Sequence, residues 1–234
     1  MSLKLITVNI EGNEHLDLVI PFLKKEKADI ICMQEVLGEN VEQLEKETGL
    51  KAYFFRTHTN TDQFNLLQGV AILTNLKHSI VAKHYYLGTE SIVVSNDPNQ
   101  FSRVVGVMKV IKDKKEFTIA TTHFTWSPKG RANDLQRKSL QDLLKDLKPY
   151  PEHILCGDFN APKGKEIFIS LAKKYKDNIP KSVDSTLDPL LHRVKGLKYV
   201  VDYVFSTKAY KVTDVKVVEG ISDHKAIIAK IDLV

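Results

Sequence analysis

Five short stretches place an acid, an amide or an imidazole where an apolar run stops. Asn9 follows "LITV", Glu35 follows "IICMQ", and His123 follows "TIATT". Asp158 and Asn160 stand two apart after "ILCG", and Ser222, Asp223 and His224 precede the apolar run of "ISDHKAII". Taken singly, each has an ordinary explanation. Asn9 suits a turn, Glu35 a helix cap or a solvated strand end, and His123 a hydrogen-bonded core position. Taken together they form an oxygen-rich set with imidazole beside it. Glu35, Asp158, Asn160 and Asp223 offer the hard oxygen ligands that suit Mg²⁺ or Mn²⁺. Zinc would call for more Cys or His at close spacing. Gly157 is expected to let the chain turn close to the cation.

Three further residues fit around that set. His224 needs a partner that orients its ring through the other nitrogen. Asp202 is the candidate, because it lies in the otherwise apolar "KYVVDYVFS", where an unpaired charge is costly. Arg103 opens "RVVGVMKV". It is either an edge-strand arginine or, pointing inward, a phosphate-binding group. Trp126, the single tryptophan, follows His123 in "FTWSPKGRAND". It either packs beneath its loop or offers a flat platform to a base, with Lys129 and Arg131 close by. The segment "DPLLHRVKGLK" is either a surface connector or an overhang carrying His192, Arg193 and Lys195.

These residues need elements to hold them. Alternation and short continuous apolar runs predict strands over residues 3–10, 28–36, 51–57, 69–74, 79–87, 103–111, 116–123, 153–158, 199–206, 211–218 and 225–232. Helical spacing predicts helices over 14–27, 40–48, 129–148 and 165–175, with Pro21 delaying or bending the first. Residues 177–198 read as irregular. So many strands with few helices exclude simple βαβ alternation. The expectation is an α/β fold in which two mostly antiparallel sheets pack together with helices outside. No Pro/Gly/Ser-rich linker interrupts the chain, so residues 1–234 are expected to form a single domain.

The chain is 43% hydrophobic and 27% charged, as ordinary globular proteins are. It has 34 basic and 29 acidic residues, hence a net charge of +5. Lysines gather at 24–27, 112–115 and 173–176, either as solvated faces or as a surface for polyanions. The two cysteines, Cys32 and Cys156, read as small buried hydrophobes and suit a reducing compartment. A strand pattern begins at Leu3 and no apolar run approaches the ~20 residues of a membrane span. A cytoplasmic monomer is therefore expected, with secretion open if a leader has been removed.

The stretches "TVNI", "ICMQEV", "GVAILT", "TTHF", "CGDFNA", "VVDYVFS" and "SDHKAI" together resemble the endonuclease/exonuclease/phosphatase superfamily, in the family's order, over residues 7–227. The resemblance implies a four-layer α/β/β/α sandwich and a Mg²⁺- or Mn²⁺-dependent phosphoesterase. It implies that Asn9, Glu35 and Asp223 belong to the metal site, with Glu35 the main ligand. Asp158 then resembles the group that activates water and Asn160 the amide on the phosphoryl oxygen. His224 resembles the acid/base or transition-state donor, Asp202 its orienting partner, and His123 the second histidine. The "THF"-like His123 and the absence of "QET" are similar to the branch with deoxyribonuclease I, sphingomyelinases, deadenylases and tyrosyl-DNA phosphodiesterases. The leading expectation is a nuclease on DNA or RNA, with Arg103 and Trp126 in substrate binding. The alternative is a phosphatase or phosphodiesterase on a small-molecule or lipid head-group ester. The contrasting expectation is a non-catalytic binding module on the same fold.

Overall fold

Along β1 (Leu3–Asn9) and β2 (Ile30–Leu37), alternate side chains serve two different apolar layers. Leu3, Leu5, Ile30 and Cys32 pack into a core shared with the second half of the chain. Ile6, Val8, Ile31 and Met33 pack with Val19, Leu23 and Leu44 of two helices. A strand covered on both faces is apolar throughout, so the continuous run "IICM" is a consequence of layering. The computed structural model describes residues 2–60, 66–91 and 93–234.

The first sheet has the strand order β11-β12-β1-β2-β4-β3. Its further members are β3 (Lys51–Asn60), β4 (Leu66–Thr74), β11 (Tyr210–Val218) and β12 (Ala226–Leu233). The second sheet runs β5-β6-β7-β8-β10-β9. It comprises β5 (Lys77–Leu87), β6 (Arg103–Lys112), β7 (Lys115–His123), β8 (Ile154–Asp158), β9 (Lys176–Asp177) and β10 (Asp202–Ser206). Each sheet contains one parallel pair, β1 with β2 and β7 with β8; its other pairings are antiparallel.

A parallel pair needs a crossover. α1 (Leu16–Glu26) makes the first and α3 (Asp134–Asp146) the second. α2 (Val41–Thr48) lies beside α1 and α4 (Glu166–Ala172) beside α3. Leu44 of α2 packs with the outer face of the first sheet, and Leu140, Leu143, Ile167 and Leu171 of α3 and α4 are buried in the larger cluster. The expected two-sheet architecture with outer helices is the one observed. No helix among the described residues is long and apolar enough to cross a membrane.

Several boundaries differ from expectation for local reasons. α3 begins at Asp134, not 129, because the Asn133 side chain accepts the Gln136 N–H at 2.8 Å and caps the helix there. Residues Pro128–Gly130 form a separate 3₁₀ turn. α1 carries Pro21 within it. The helix continues through it to Glu26, and Lys27 caps it in the left-handed region. β10 starts at Asp202, since backbone groups of Tyr199, Val200 and Val201 are already engaged by Thr186, Lys163 and Phe159. Two of the lysine clusters are partly paired: Lys24 bonds Glu47 and Lys112 bonds Asp29.

Candidate active site

Register places the polar strand ends side by side. His123 on β7 pairs with Asp158 on β8, and Asp158 pairs with Asp202 on β10. Three neighbouring strands of the second sheet thus present His, Asp and Asp in one row. On the first sheet, Asn9 pairs with Gln34, and the β2–β4 register shifts between Met33 and Val36. Glu35 sits in that bulge with φ 57, in the left-handed region. Such backbone is disfavoured for glutamate. The bulge re-aims its side chain, as bulges near active sites do.

Asn9 joins the two halves. Its amide nitrogen donates to Glu35 Oε1 at 2.9 Å and to Asp158 Oδ2 at 3.2 Å. Its oxygen accepts the Glu11 backbone N–H at 3.1 Å, which fixes which end of the amide faces the acids. Asn9 therefore turns its donor, not its oxygen, toward the carboxylates. The sequence expectation grouped it with the metal-site residues; in this geometry it holds the acids together. Gln68 Nε2 lies 3.4 Å from Glu35 Oε2 on the far side.

Asp158 is buried. Its Oδ1 accepts the Asn160 backbone N–H at 2.8 Å. Burial is the largest influence on its pKa, joined by Asp202 and Glu35 and opposed by His224; the result is a rise to about 7. Burial, then Asp223, also raises Glu35, against the pull of the Asn9 hydrogen bond. His224 behaves in the opposite sense. Burial alone would lower it, but Asp202, Asp158 and Asp223 outweigh burial and hold it well above the usual histidine value. Its Nδ1 donates to Asp202 Oδ2 at 2.8 Å, and its Nε2 lies 3.9 Å from Asp158 Oδ2.

His123 is the neutral histidine of the pair. Burial first, then Arg103 and His224, push its pKa well down. The Asn160 amide nitrogen, which can only donate, lies 3.0 Å from His123 Nε2, so that ring atom accepts. The same amide also donates to the Phe124 carbonyl at 3.1 Å. Asn160, expected as a phosphoryl donor, has its N–H groups engaged here. To reach a substrate it would exchange His123 for a phosphoryl oxygen.

Arg103 is buried in β6, between β5 and β7, and is not an edge residue. Nη1 reaches the His123 carbonyl at 3.3 Å and Nη2 the Pro98 carbonyl at 3.5 Å. Burial lowers its pKa while Tyr86, Glu35 and Asp158 support the charge. Trp126 is 37% exposed. Its loop is braced by Gln136, which donates to the Thr125 carbonyl at 2.7 Å and to the Asn160 carbonyl at 3.4 Å.

Gly157 has a φ of +131, and a Cβ there would lie 2.1 Å from the Thr122 carbonyl oxygen. The glycine is required by its backbone conformation and by the close approach of β7.

Among the described residues, two groups of three side chains have ligand atoms within 4.8 Å of one another: Glu35, His123 and Asp158, and Asp158, Asp202 and His224. Asp158 belongs to both. Asp223 belongs to neither, yet its charge is felt by Glu35, Glu11 and His224. Its Oδ1 accepts from Ser222 Oγ at 3.2 Å. Glu11 and Gln68 are site residues that the sequence reading missed. Glu11 is raised by burial, then by Asp223 and Glu35, and His15 Nε2 lies 3.1 Å from its carboxylate. The available signals were an acid two residues past Asn9 and a glutamine inside the apolar run "LLQGVAIL".

The donor set fits a hard cation beside Glu35. Glu35 and Asp158 offer carboxylate oxygens held together by one amide, with Glu11 and Asp223 adding negative charge. Burial first, then the neighbouring acids, raises the pKa of Glu35, Asp158 and Glu11. The second group fits a cation less well, because the charged His224 already occupies Asp202.

The model of the endonuclease/exonuclease/phosphatase family matches residues 6–224. Solved structures share the fold. The endonuclease/exonuclease/phosphatase from Bacteroides vulgatus superposes with TM-score 0.77 at 16% identity, covering 100% of each chain. The human Nocturnin catalytic domain with bound sulfate anion gives 0.76 at 18% identity, over 100% of this chain and 94% of that one. Bacteroides thetaiotaomicron mannosyl-6-phosphatase gives 0.72 at 12%, over 99% and 100%. No curated protein matches the chain. A family match across nearly the whole length, over a buried acid–histidine cluster at the strand ends, makes the chain a phosphoesterase of the endonuclease/exonuclease/phosphatase family.

Proposed function

We propose that the chain is a divalent-cation-dependent phosphodiesterase that cuts nucleic acid by in-line attack of water. The observation that carries this reading is Asp158. It stands between Glu35, to which Asn9 ties it, and the charged His224. Glu35 and Asp158, with Asp223 and Glu11 nearby, would hold Mg²⁺ or Mn²⁺. Such a cation supplies charge to the phosphoryl oxygens as negative charge accumulates on them.

The chain's own groups divide the proton work. Asp158, buried between the Asn9 amide and His224, takes the proton of the attacking water. His224, kept cationic and aimed by Asp202, donates from Nε2 to a phosphoryl or leaving-group oxygen. Arg103, fixed on the His123 carbonyl, adds buried positive charge. His123 and Asn160 complete the wall as a hydrogen-bonded pair.

The surroundings favour a polyanion with flat groups. Trp126, Lys129 and Arg131 are exposed on the loops after β7. Lys165 donates to the Lys129 carbonyl at 2.7 Å and lies 4.6 Å from the Tyr199 ring centre. These are the ingredients of phosphate contact and base stacking. The likeness to a mannosyl-6-phosphatase supports a second reading, hydrolysis of small phosphate monoesters.

The deciding experiment compares single- and double-stranded DNA and RNA with bis-p-nitrophenyl phosphate and p-nitrophenyl phosphate, in Mg²⁺, Mn²⁺ or EDTA. The expected result is cation-dependent cleavage of diesters, including a nucleic acid. Full activity in EDTA removes the cation from the mechanism, and hydrolysis of monoesters alone selects the second reading.

A further inference from the structure

The segment 188–198 springs from beside His224, and its root is built into the site. Leu187 forms an isolated bridge with His224. The Asp188 N–H donates to the Asp223 carbonyl at 2.8 Å. The buried Asp188 carboxylate accepts N–H groups from Leu190 at 2.9 Å and Leu191 at 3.0 Å, and from Gly220 at 2.7 Å. The same aspartate thus anchors the arm and the loop that carries Asp223 and His224. Farther out, the Lys195 ammonium donates to the Leu190 carbonyl and braces the arm internally.

Outer side-chain groups of the arm are unpartnered among the described residues. The His192 ring stands 6.3 Å from the His224 ring, centre to centre, with the planes at 64°. Its Nδ1 lies 3.2 Å from both the N–H and the carbonyl of Val194, so that atom is taken. Nε2 has no partner among the described residues. Arg193 is exposed and makes no ion pair among them. Leu190 and Val194 are 80% and 52% exposed. A rigid root carrying a free imidazole edge, a free guanidinium and apolar side chains matches a nucleotide, which offers phosphate, sugar hydroxyl and a flat base together.

We propose that His192 and Arg193 are specificity-determining residues that hold the nucleotide next to the scissile phosphate on the His224 side. This deepens the nuclease reading and rests on it. His192 Nε2 meets a sugar or phosphate oxygen, Arg193 the neighbouring phosphate, and Leu190 with Val194 the base.

The test compares a short single-stranded oligonucleotide with bis-p-nitrophenyl phosphate, which lacks flanking nucleotides, both in Mn²⁺. His192→Ala and Arg193→Ala are each expected to lower kcat/KM on the oligonucleotide by about tenfold or more, mainly through KM. The loss on the small diester is expected to be several-fold smaller. His192→Gln, which keeps a donor, is expected to recover part of it. Equal losses on both substrates, or none on either, overturn the assignment while the nuclease reading stands. A wild-type enzyme that hydrolyses the small diester and leaves every oligonucleotide intact overturns both.

Discussion

The two sheets repeat one device and fill it differently. Each places a parallel pair at its centre, joined by an outer helix, and each ends that pair in site residues. β1 ends in Asn9 and β2 carries Glu35 in a bulge just past the paired residues; β7 and β8 end in His123 and Asp158. The first sheet contributes mainly acids and amides: Asn9, Glu35, Gln68, with Glu11 and Asp223 close by. The second contributes Arg103, His123, Asn160, Asp158 and Asp202, a side rich in nitrogen donors. His224 crosses over, as Asn9 does. His224 precedes β12 of the first sheet, yet bonds Asp202 of the second. On the proposed reading, one sheet gathers a cation and the other moves protons and binds phosphate, and Asp158 serves both.

That division can be broken by mutation. The largest effect is expected at the shared group: Asp158→Asn should lower kcat by about 10³-fold or more, measured on bis-p-nitrophenyl phosphate in saturating Mn²⁺. Retention of near-wild-type turnover would remove Asp158 from the chemistry. The next pair separates the sheets. Mn²⁺ at 100 times its Kd should stabilise the wild type by about 2.7 kcal/mol, read as a rise in Tm over EDTA. Glu35→Gln should lose most of that rise, whereas His224→Ala should keep it while losing activity. If His224→Ala abolishes the Tm rise, the cation sits in the other carboxylate–histidine group.

A smaller loss is expected for Asp202→Asn, about 10²-fold in kcat, because the amide still aligns His224 without holding its charge. A change confined to KM would count against a role in the chemical step.

The last prediction concerns stability. His58 on β3 is buried neutral; burial, then Arg103, push its pKa down to about 3 from 6.5. The unfolded chain therefore gains a proton below pH 6.5 that the native chain does not. Stability falls as pH drops from 6.5 toward 3, by at most about 1.4 kcal/mol per pH unit from this group. His153, just before β8, is also lowered by burial and has the same sign. Asp158, raised from 3.8 to about 7, runs the opposite way over that interval in the cation-free protein. The informative quantity is a difference: the urea midpoint of His58→Gln should depend less steeply on pH between 6.5 and 4 than that of wild type. Parallel pH profiles would show that His58 is not held neutral.

Much of this site was legible because strand ends are legible. An apolar run that stops in Asp, Asn or His can be read without a structure, and so can an Asp inside "KYVVDYVFS" that needs a partner. What could not be read depends on geometry across strands. The bulge at Glu35, the direction of the Asn9 amide and the occupation of Asn160 by His123 all follow from which backbones lie adjacent. Gly157 shows the limit clearly. Its need for a bare Cα arises from the Thr122 carbonyl, 35 residues earlier in the chain. Glu11 and Gln68 were overlooked because neither ends a strand in a recognisable pattern.

The return of β12 to pair with β1 has a consequence for the timing of activity. Synthesis runs from β1 through the whole second sheet before His224 is made. Asp202 is translated 22 residues ahead of the ring it aims. Until the last strand closes against the first, Asp158 lacks its cationic neighbour. On the proposed reading, the site is therefore complete only once the last strand is in place.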